Sequence, residues 1–475
     1  MIALKPGAHL HLIGVAGTAM GALAGLLQEA GYQVTGSDSD IYPPISDQLS
    51  ELKIPVTRGF RASNLDTNPA LVVVGNSISR GNEELEAVLD RKLPYASLPE
   101  VLREIFLNGR ETIAVTGTHG KTTVTALLSW IFFTAGLDPG FLIGGVPMDF
   151  PRGFRRGGGK FFIIEGDEYD TAFFDKGPKF LHYRPDAAVL TSIEFDHADI
   201  YRDLEEVTRA FQRLINLIPG RGYLSVTAES PVVGGLLDRA FCTVESFGIE
   251  EGDWRAMDIQ SWNEGTSFQV VHGGQSLGRL VCKMAGVHNV RNILSALAVA
   301  VHYGLAWGEI REAVATFRGV KRRMEIAGKS ADIVVVDDFA HHPTAIRETI
   351  RAIRLRFPER RIWAVLEPRS HTLRRNIFAS QIVESLAEAD RVVLAEVFRQ
   401  DRIPVSEQLD LAHVQAGVIE RGIPAIIGGG AHQIVELMLP DLAAGDCILV
   451  MSNGGFGGIH QLLLESIGSG MVPAR

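Results

Sequence analysis

Short apolar runs alternate along the chain with glycine turns and with longer stretches of helical periodicity. Residues 9–13 form one such run, a helix is predicted over 18–30, and a second strand is predicted over 33–36. The unbroken apolar run at 71–74 is typical of a strand that is buried on both faces of a parallel sheet. Strands and helices in alternation indicate an α/β fold with mainly parallel sheets.

Two further units repeat this alternation. Their strands are predicted at 112–116, 161–164, 187–193, 333–336, 362–366, 391–395, 425–427 and 447–450, with a helix at 285–303. Residues 248–282 alternate polar and apolar positions between glycines, which predicts a small antiparallel patch. We therefore expect three domains, at residues 1–110, 111–320 and 321–475.

The composition of the 475 residues narrows the class of protein. Hydrophobic residues make up 46% and charged residues 21%, which is ordinary for a globular protein. The net charge of −10 disfavours binding to a nucleic acid. Glycines interrupt the uncharged stretch 12–27, so we expect neither a signal peptide nor a membrane partner. The three cysteines lie far apart, as in a reducing compartment, and we expect a cytoplasmic enzyme.

The strongest chemical motif runs directly from the predicted strand 112–116 into a helix. It comprises Gly117, Thr118, His119, Gly120, Lys121, Thr122 and Thr123. Glycines let the backbone approach a phosphate, and the amides at a helix N-terminus point at the anion. Lys121 supplies a positive charge for the β- and γ-phosphates of a nucleotide, and Thr122 supplies a hydroxyl for Mg²⁺. The spacing differs from the common phosphate loop, because Val115 stands where the first glycine is expected.

Acidic residues and a histidine follow two strands of the second unit. Glu165 ends the run 161–164, and a carboxylate at the carboxyl end of a parallel strand lies where nucleotide-bound metals bind. Three more acidic residues come soon after it: Asp167, Glu168 and Asp170. His197 follows the strand 187–193, and the adjacent Asp196 is placed to orient its ring. Two interpretations of His197 stay open, a ligand of a second cation or a structural histidine.

A glycine-rich turn in the first unit resembles a nucleotide-binding turn but lacks the strict G-x-G-x-x-G spacing. We predict that this turn, together with polar residues at two strand ends, binds a nucleotide diphosphate. The candidate residues are Gly14, Ala16, Gly17, Thr18, Ala19, Met20, Ser37, Asp38, Asn76 and Ser77. NAD is one candidate ligand, and a purely structural turn is the other interpretation. An NAD-dependent dehydrogenase would leave the loop at 117–123 without a role.

Candidate contacts for ATP also lie at a helix start in the second unit and at the entry to the third. They are His288, Asn289, Asn292, Arg323, Asp338 and His342. Asparagine side chains offer a donor and an acceptor together, which match an adenine edge. Arg323 belongs to the basic stretch before the third unit, from which we expect it to reach a γ-phosphate. Helix capping by Asn289 and a solvated basic linker are the structural alternatives.

Polar side chains at strand ends of the third unit are candidates for contacts with an amine substrate. They are Arg369, His371, Arg374 and Asn453. The first three follow the strand 362–366, and Asn453 opens a glycine-rich loop after the last strand. Two interpretations of this loop stay open, since it either holds a carboxylate or only turns the chain.

Together, these motifs resemble the Mur ligase family across essentially the whole chain. The match rests on residues 116–123, Glu165, Asp196-His197, His288-Asn289-x-x-Asn292, Arg323 and Asp338-x-Ala340-His341-x-Pro343, which follow the family's order. The resemblance implies an α/β fold of three domains. These are a Rossmann-like N-terminal domain that binds a UDP-sugar, a central P-loop ATPase domain, and a Rossmann-like C-terminal domain for the incoming amine.

The resemblance also implies an ATP-dependent ligase that uses Mg²⁺ and joins a carboxylate on the UDP-sugar to an amine through an acyl phosphate. The implied catalytic residues are Lys121, Glu165, His197 and Arg323, and the implied Mg²⁺ ligands are Thr122, Glu165 and His197. Two anions must meet in this reaction, so neutralising their charge is the main catalytic task. No lysine occurs between residues 201 and 219, so we expect no carbamylated lysine after the Asp196-His197 pair.

Finer motifs are similar to the branch of the family that attaches recycled L-alanyl-γ-D-glutamyl-meso-diaminopimelate to UDP-N-acetylmuramate. They are Asp40-Ile41-Tyr42-Pro43-Pro44, residues 165–176, His182-Tyr183-Arg184-Pro185 and residues 452–458. We expect that reaction, with small-molecule partners only, and keep the L-alanine-adding branch as the alternative. A nucleotide-sensing module without catalysis is disfavoured, because Lys121, Thr122, Glu165 and His197 are all present. The oligomeric state, monomer or dimer, stays open.

Overall fold

A computed structural model describes residues 4–42 and 45–468 of the chain. Pro43 and Pro44, which belong to the motif at 40–44, lie outside the described residues. Three large β-sheets with helices packed against them follow one another along the chain, and this confirms the predicted three-domain α/β fold. Among the residues described, no helix combines the length and apolar character that a membrane span requires.

The N-terminal domain is built on a five-stranded parallel sheet. Its strands are β1 (His9–Ile13), β2 (Gln33–Asp38), β3 (Val56–Arg58), β4 (Leu71–Val74) and β5 (Tyr95–Ser97), and its helices are α1 (Thr18–Glu29), α2 (Ile45–Glu51), α3 (Glu83–Asp90) and α4 (Leu98–Leu102). The strand order β3-β2-β1-β4-β5 reverses direction at β1. The loops after β1 and β4 therefore diverge and leave a crevice at the carboxyl edge of the sheet.

The central domain contains a ten-stranded sheet and a separate hairpin, β10–β11. The strands are β6 (Glu111–Thr116), β7 (Gly140–Leu142), β8 (Phe154–Arg155), β9 (Phe161–Glu165), β10 (Asp170–Ala172), β11 (Asp175–Pro178), β12 (Ala187–Leu190), β13 (Tyr223–Thr227), β14 (Thr243–Gly248), β15 (Trp254–Trp262), β16 (Gly265–His272) and β17 (Gln275–Cys282). The helices are α5 (Lys121–Thr134), α6 (Leu204–Ile215), α7 (Pro231–Gly234), α8 (Val287–His302) and α9 (Trp307–Thr316). The order of the large sheet is β17-β16-β15-β14-β13-β12-β6-β9-β7-β8.

This sheet places the candidate catalytic residues at one edge. Strands β6 and β9 pair in parallel with Val115 opposite Glu165, so the phosphate loop and the acidic residues leave the sheet side by side. The antiparallel patch predicted at 248–282 is formed by β15, β16 and β17, but it continues the main sheet because β14 pairs with β15. The strand predicted at 187–193 ends earlier, at Leu190.

The C-terminal domain has a six-stranded sheet of order β18-β19-β23-β20-β21-β22. Its strands are β18 (Glu325–Ser330), β19 (Ile333–Asp338), β20 (Arg361–Leu366), β21 (Arg391–Leu394), β22 (Ala425–Ile427) and β23 (Asp446–Met451), and its helices are α10 (Pro343–Arg356), α11 (Ala379–Leu386), α12 (Leu411–Glu420), α13 (Ala431–Met438) and α14 (Ile459–Gly468). The antiparallel edge strand β18 was not predicted, because no residue in it is fully buried and it therefore carries little apolar signal.

The N-terminal and central domains meet where Phe154 of β8 packs against Gly25 of α1. Phe154 is only 3% exposed, and a Cβ atom on Gly25 would lie 2.1 Å from Cζ of its ring. The backbone N–H of Arg156 donates a hydrogen bond of 2.8 Å to the carboxylate of Glu29, at the end of the same helix. Glycine at position 25 therefore lets the two domains approach closely.

We predict that Gly25→Ala lowers the thermal unfolding midpoint, because overpacking a filled interface costs about 1–3 kcal/mol. Gly308→Ala is the matched control, since it adds the same methyl group to helix α9, where no atom lies within 4 Å of the new Cβ. The control should keep the wild-type midpoint or raise it slightly, because Gly308 lies in the first turn of α9 and alanine is a better helix former than glycine. Differential scanning calorimetry measures both variants, and a Gly25→Ala midpoint at or above the wild-type value would contradict this account of the interface.

Candidate active site at the junction of the central and C-terminal domains

Two glycines shape the loop between β6 and α5. Gly117 and Gly120 have φ angles of +116° and +79°, in the region that disfavours residues with a Cβ. A Cβ atom on Gly117 would lie 2.2 Å from the hydroxyl of Thr191, and one on Gly120 would lie 2.3 Å from Oδ1 of Asn292. The loop is thus packed tightly, and Asn292, predicted as an adenine contact, lies directly against it.

Lys121, at the start of α5, is held by a buried carboxylate. Its Nζ donates to the backbone oxygen of Gly117 at 2.7 Å and to Glu168 Oε2 at 2.9 Å. Burial alone would lower the pKa of Lys121, but the carboxylates of Glu168 and Asp167 outweigh it and raise its pKa. The side chain is therefore a cation at neutral pH, at the position where the loop predicts nucleotide phosphates.

The three acidic residues that follow Glu165 have separate partners. Glu168 contacts Lys121, whereas Asp167 pairs with Lys179 at 2.8 Å and Asp170 pairs with Lys176 at 2.7 Å. Glu168 is also the most deeply buried of the three, at 2% exposure. Sequence reasoning did not assign roles among these residues, and the tertiary contacts distinguish them.

Thr122, Glu165 and Arg323 form a second group beside Lys121. The Thr122 hydroxyl donates to Glu165 Oε1 at 3.0 Å, and the backbone N–H of Gly144 donates to Glu165 Oε2 at 2.7 Å. Burial raises the pKa of Glu165 above its usual range. Arg323 donates to the Thr122 hydroxyl at 3.3 Å, with its guanidinium 4.9 Å from the ring centre of Phe339. The arginine thus reaches the loop from the hinge, as predicted for a γ-phosphate contact, and a hydroxyl next to a carboxylate suits Mg²⁺.

His197 faces the same buried acid as Lys121. Its backbone N–H donates to Asp196 Oδ1 at 2.7 Å, and its Nε2 lies 3.5 Å from Glu168 Oε1. Burial alone would lower the pKa of His197, but the hydrogen bond and charge of Glu168, together with Asp196, raise its pKa to about 9. In this arrangement the side chain is an imidazolium at neutral pH, which must lose its proton before it can ligate a cation.

His342 joins the two domains. It is the N-cap of α10, where its Nδ1 accepts from the backbone N–H of Thr344 at 3.3 Å, and its Nε2 donates to the backbone oxygen of Phe195 at 3.2 Å. Burial lowers the pKa of His342 to about 4. Its ring centre lies 4.8 Å from that of His119 in the phosphate loop, and both imidazoles approach Glu194. The residue predicted to bind ATP therefore also fixes the position of the C-terminal domain.

The other predicted ATP contacts lie close to the loop. The Asn289 amide donates to the backbone oxygen of Ala285 at 2.8 Å, and Asn292 donates to Asn289 Oδ1 at 3.1 Å. The N-cap of α8 is Gly286, so Asn289 does not cap this helix. His288 is half-buried, and desolvation is the main cause that lowers its pKa to about 4. Its buried Nδ1 finds no hydrogen-bond partner among the described residues. A buried nitrogen without a hydrogen-bond partner in the protein calls for an explanation, and a bound ligand would supply the missing partner.

Asp338 has a structural role at the entry to the C-terminal domain. Its carboxylate accepts hydrogen bonds of 2.8 Å from the backbone N–H groups of Met324 and Ala340. Burial raises the pKa of Asp338, although the charge of Arg323 opposes that shift. The carboxylate therefore braces the hinge segment from which Arg323 extends.

A cleft of about 580 Å³ in the N-terminal domain is lined by residues that follow β2, β3 and β4, and the glycine turn contacts one of these segments. Backbone N–H groups of Gly14 and Ala16 donate to the Ser37 backbone oxygen at 2.8 Å and to Asp38 Oδ2 at 2.9 Å. Asp38 and Ser77 line the cleft, so two of the predicted UDP-sugar contacts reach it. Sequence reasoning did not assign three other lining residues, Phe60, Arg80 and Asn82, and it named Asp40 only as part of the motif at 40–44.

A second cavity, of about 480 Å³, lies at the carboxyl edge of the C-terminal sheet. Its lining includes Glu367, Glu396, Phe398, Arg399, Asp401 and Phe456. Several of these residues directly follow β21. The run of polar residues after that strand is the sequence feature from which they could have been predicted. The lining carries both signs of charge, and Arg399 forms no salt bridge within the described part of the chain.

None of the four predicted substrate contacts of this domain lines the second cavity. Arg369 lies behind it, with its guanidinium 3.7 Å from the ring centre of Phe398. Arg374 donates to the backbone oxygen of Phe398 at 3.3 Å and contacts the exposed His371. Asn453 has a buried Oδ1 with no hydrogen-bond partner in the described ranges. The two arginines therefore support the wall of the cavity through Phe398.

Comparison with protein families gives three matches in chain order. Residues 9–110 match the Mur ligase family, catalytic domain; residues 115–300 match the Mur ligase middle domain; and residues 322–454 match the Mur ligase, glutamate ligase domain. These matches cover most of the chain.

Individual relatives extend this similarity over nearly the full length. The chain is 39% identical to UDP-N-acetylmuramate–L-alanyl-γ-D-glutamyl-meso-2,6-diaminoheptandioate ligase of Escherichia coli strain K12, over 97% of this chain and 98% of the relative. It is 32% identical to UDP-N-acetylmuramate–L-alanine ligase of Desulfitobacterium hafniense, over 96% of this chain and 99% of that one. A crystal structure of a murein peptide ligase from Psychrobacter arcticus superposes with a TM-score of 0.74 at 36% identity, covering 99% of this chain and 100% of the other.

We predict that acidification weakens the junction through His342. Its folded pKa of about 4 lies below the ordinary value of 6.5, so the unfolded chain binds the proton first and stability falls as the pH drops from 6.5 towards 4. The expected loss between pH 7 and pH 5 is about 1–2 kcal/mol. His342→Asn keeps a side-chain oxygen to cap α10 and should lose this part of the pH dependence. Urea unfolding at pH 7 and at pH 5 measures the change in the free energy of unfolding. If the variant shows the same change as the wild type, the assignment to His342 is wrong.

Proposed function

The chain belongs to the Mur ligase family, and on that premise we propose that it joins UDP-N-acetylmuramate to L-alanyl-γ-D-glutamyl-meso-diaminopimelate. The reaction converts ATP to ADP and phosphate and returns a recycled peptide to the peptidoglycan precursor in the cytoplasm. One observation supports the proposal most directly. Arg323, at the entry to the C-terminal domain, contacts the phosphate loop of the central domain, where Lys121, Thr122 and Glu165 lie together. The identity to the Escherichia coli enzyme supports the choice of substrates.

The first step joins two anions. The lactyl carboxylate of the muramyl group attacks the γ-phosphorus of ATP; an acyl–oxygen–phosphorus bond forms, and the bond from the γ-phosphorus to the bridging oxygen of ADP breaks. Lys121 and Arg323 supply positive charge on two sides of the loop, and Glu168 holds Lys121 in place until phosphates arrive. Because these charges are already in position, they stabilise the transition state without any rearrangement of the protein during the reaction.

The second step forms the amide. The free amine of the peptide attacks the acyl carbon and a carbon–nitrogen bond forms. The bond from the acyl carbon to the phosphate oxygen breaks, inorganic phosphate leaves, and the proton of the amine passes to water. The acyl phosphate must be shielded from water until the amine arrives. The contacts of His342 with Phe195 and His119 hold the C-terminal domain over the phosphate loop, where it provides that shielding.

Mg²⁺ is part of the proposal, and the donor groups fit it. Thr122 and Glu165 would hold one ion, and His197 would serve a second ion after losing its proton. Hydroxyl and carboxylate oxygens are ligands that Mg²⁺ prefers, and the bound ion would neutralise phosphate charge.

The C-terminal cavity favours a peptide over alanine as the amine substrate. Its volume of about 480 Å³ lies in the range of sites for small molecules of drug size, about 300–1,000 Å³. The proposed peptide has several carboxylates and a distal ammonium group, and the lining offers Arg399 together with Glu396 and Asp401. L-alanine, the amine of the alternative reaction, has a single carboxylate and no distal ammonium group, so it would leave Glu396 and Asp401 without a cationic partner.

The test of the function is phosphate release from ATP with UDP-N-acetylmuramate and one of two amines, the tripeptide or L-alanine. We expect release and formation of the ligated product with the tripeptide, and at least a hundredfold lower rate with L-alanine. Mass spectrometry identifies the product. A reversed preference would overturn the proposal in favour of the L-alanine-adding reaction.

We predict that Lys121→Met lowers kcat of ligation by about a thousandfold or more, because it removes preorganised charge from the phosphate site. Lys160→Met is the matched control, since Lys160 is an exposed lysine of the same domain. It should keep wild-type activity, and circular dichroism should show that both variants are folded. Near-normal turnover by folded Lys121→Met would refute the phosphate-loop assignment.

A further inference from the structure

A buried hydrogen bond connects the C-terminal domain to the segment that carries His197. The hydroxyl of Thr372 donates to Oδ1 of Asp196 at 2.6 Å. Thr372 is 2% exposed and Asp196 is 5% exposed, so water does not compete for this contact. Thr372 follows β20 in the C-terminal domain, whereas Asp196 follows β12 in the central domain.

The same carboxylate oxygen fixes the backbone of His197. Oδ1 of Asp196 accepts the His197 N–H at 2.7 Å, and His197 has a φ angle of +55°, which non-glycine residues seldom adopt. Nε2 of His197 lies 3.5 Å from Glu168, and Glu168 lies 2.9 Å from Nζ of Lys121. A continuous path of polar contacts therefore runs from Thr372 to the lysine of the phosphate loop.

Thr372 lies in the loop that we predict to meet the amine substrate. Arg369 and Arg374, on either side of it in the sequence, both contact Phe398 in the wall of the C-terminal cavity. A peptide bound in that cavity would therefore influence, through Phe398 and the two arginines, the position of the loop that carries the Thr372 hydroxyl. The position connects the site of the incoming amine with the site of phosphoryl transfer.

Hydrogen bonds and ring contacts connect these two domains. Among the described residues, the apolar clusters of the C-terminal domain lie almost entirely within that domain, and Ala285 is the one buried member that comes from the central domain. A domain that is not held by a shared core is free to move, and individual polar contacts then decide when it is closed.

We propose that Thr372 is a positioning residue that makes the placement of His197 depend on closure of the C-terminal domain. The proposal rests on the proposed ligase function. With the domain closed, the Thr372 hydroxyl holds Asp196 and Asp196 holds His197 beside Glu168 and Lys121. With the domain open, Asp196 loses the Thr372 hydroxyl and the more distant His341, 4.0 Å away, and the phosphate centre is incomplete before the amine is in place. The enzyme thereby limits formation of an acyl phosphate that only water can consume.

The test uses Thr372→Val, which keeps the shape of the side chain and removes the hydroxyl, and Thr372→Ser, which restores it. ADP and the ligated product are measured separately in the same reaction with ATP, UDP-N-acetylmuramate and the tripeptide. We expect Thr372→Val to lower kcat at least tenfold, to keep KM for UDP-N-acetylmuramate within twofold, and to raise the ratio of ADP to product at least twofold. Thr372→Ser should return both kcat and the ratio to near the wild-type values.

Thr344→Val is the matched control for general loosening of the junction. Thr344 also donates from the C-terminal domain to a central-domain carboxylate, Glu194, at 2.6 Å, but Glu194 does not hold His197. We expect this variant to keep the wild-type ratio of ADP to product. An equal rise of the ratio in Thr344→Val, or an unchanged ratio and kcat in Thr372→Val, would overturn the proposal.

Wild-type protein in the same assay separates the two possible failures. If the wild type forms no tripeptide product, the proposed function fails. If the wild type ligates the tripeptide and Thr372→Val behaves as the wild type, the function stands and the positioning role fails. Binding of UDP-N-acetylmuramate by each variant, measured by calorimetry, shows that the N-terminal domain is folded.

Discussion

A buried cation needs a partner, and the pairing of Lys121 with Glu168 organises the candidate active site. Both side chains are largely shielded from water, where an unpaired charge is costly. Glu168 also faces His197, so one buried acid holds two cationic groups at the end of the central sheet. In the proposed reaction, the phosphates of ATP bring the negative charge that Lys121 is placed to meet. The groups around Lys121 then have to hold the phosphates in position and exclude water.

The distribution of apolar surface explains how the three domains cooperate. The N-terminal and central domains share one apolar cluster, and Phe154 packs against Gly25 where they meet. The C-terminal domain has clusters of its own and reaches the phosphate loop through Arg323, His342 and Thr372. Polar contacts can break and form again at little cost, whereas separating a shared core exposes apolar surface to water. The C-terminal domain, which we propose receives the amine, is therefore the one best suited to open and close.

The strands that periodicity predicted are present in the structure at or near the predicted positions, because buried parallel strands are continuous apolar runs. Several strands were not predicted, among them the buried strand β13 and the edge strand β18, whose half-exposed residues carry little of that signal. The strand predicted at 187–193 was too long because Ile193, beyond the end of the strand at Leu190, is also apolar and buried. Among the candidate site residues, those of the phosphate loop were predictable because glycine spacing determines local backbone conformation. The sequence could not show that Glu168, rather than Asp167 or Asp170, pairs with Lys121. Three acidic residues in one short segment are equivalent candidates until their partners are known.

The sequence by itself determined the alternation of strands and helices, the phosphate loop at 117–123, and membership of the Mur ligase family. These depend on residues close together in the chain, where spacing and backbone preference act directly. Only the tertiary structure decided that Glu168 holds Lys121, that Thr372 holds Asp196, and that Arg399 rather than Arg369 lines the C-terminal cavity. The first two contacts join residues that are 47 and 176 positions apart. Such pairs meet only when sheets and domains pack, and local preference cannot specify which of several equivalent side chains will be buried together.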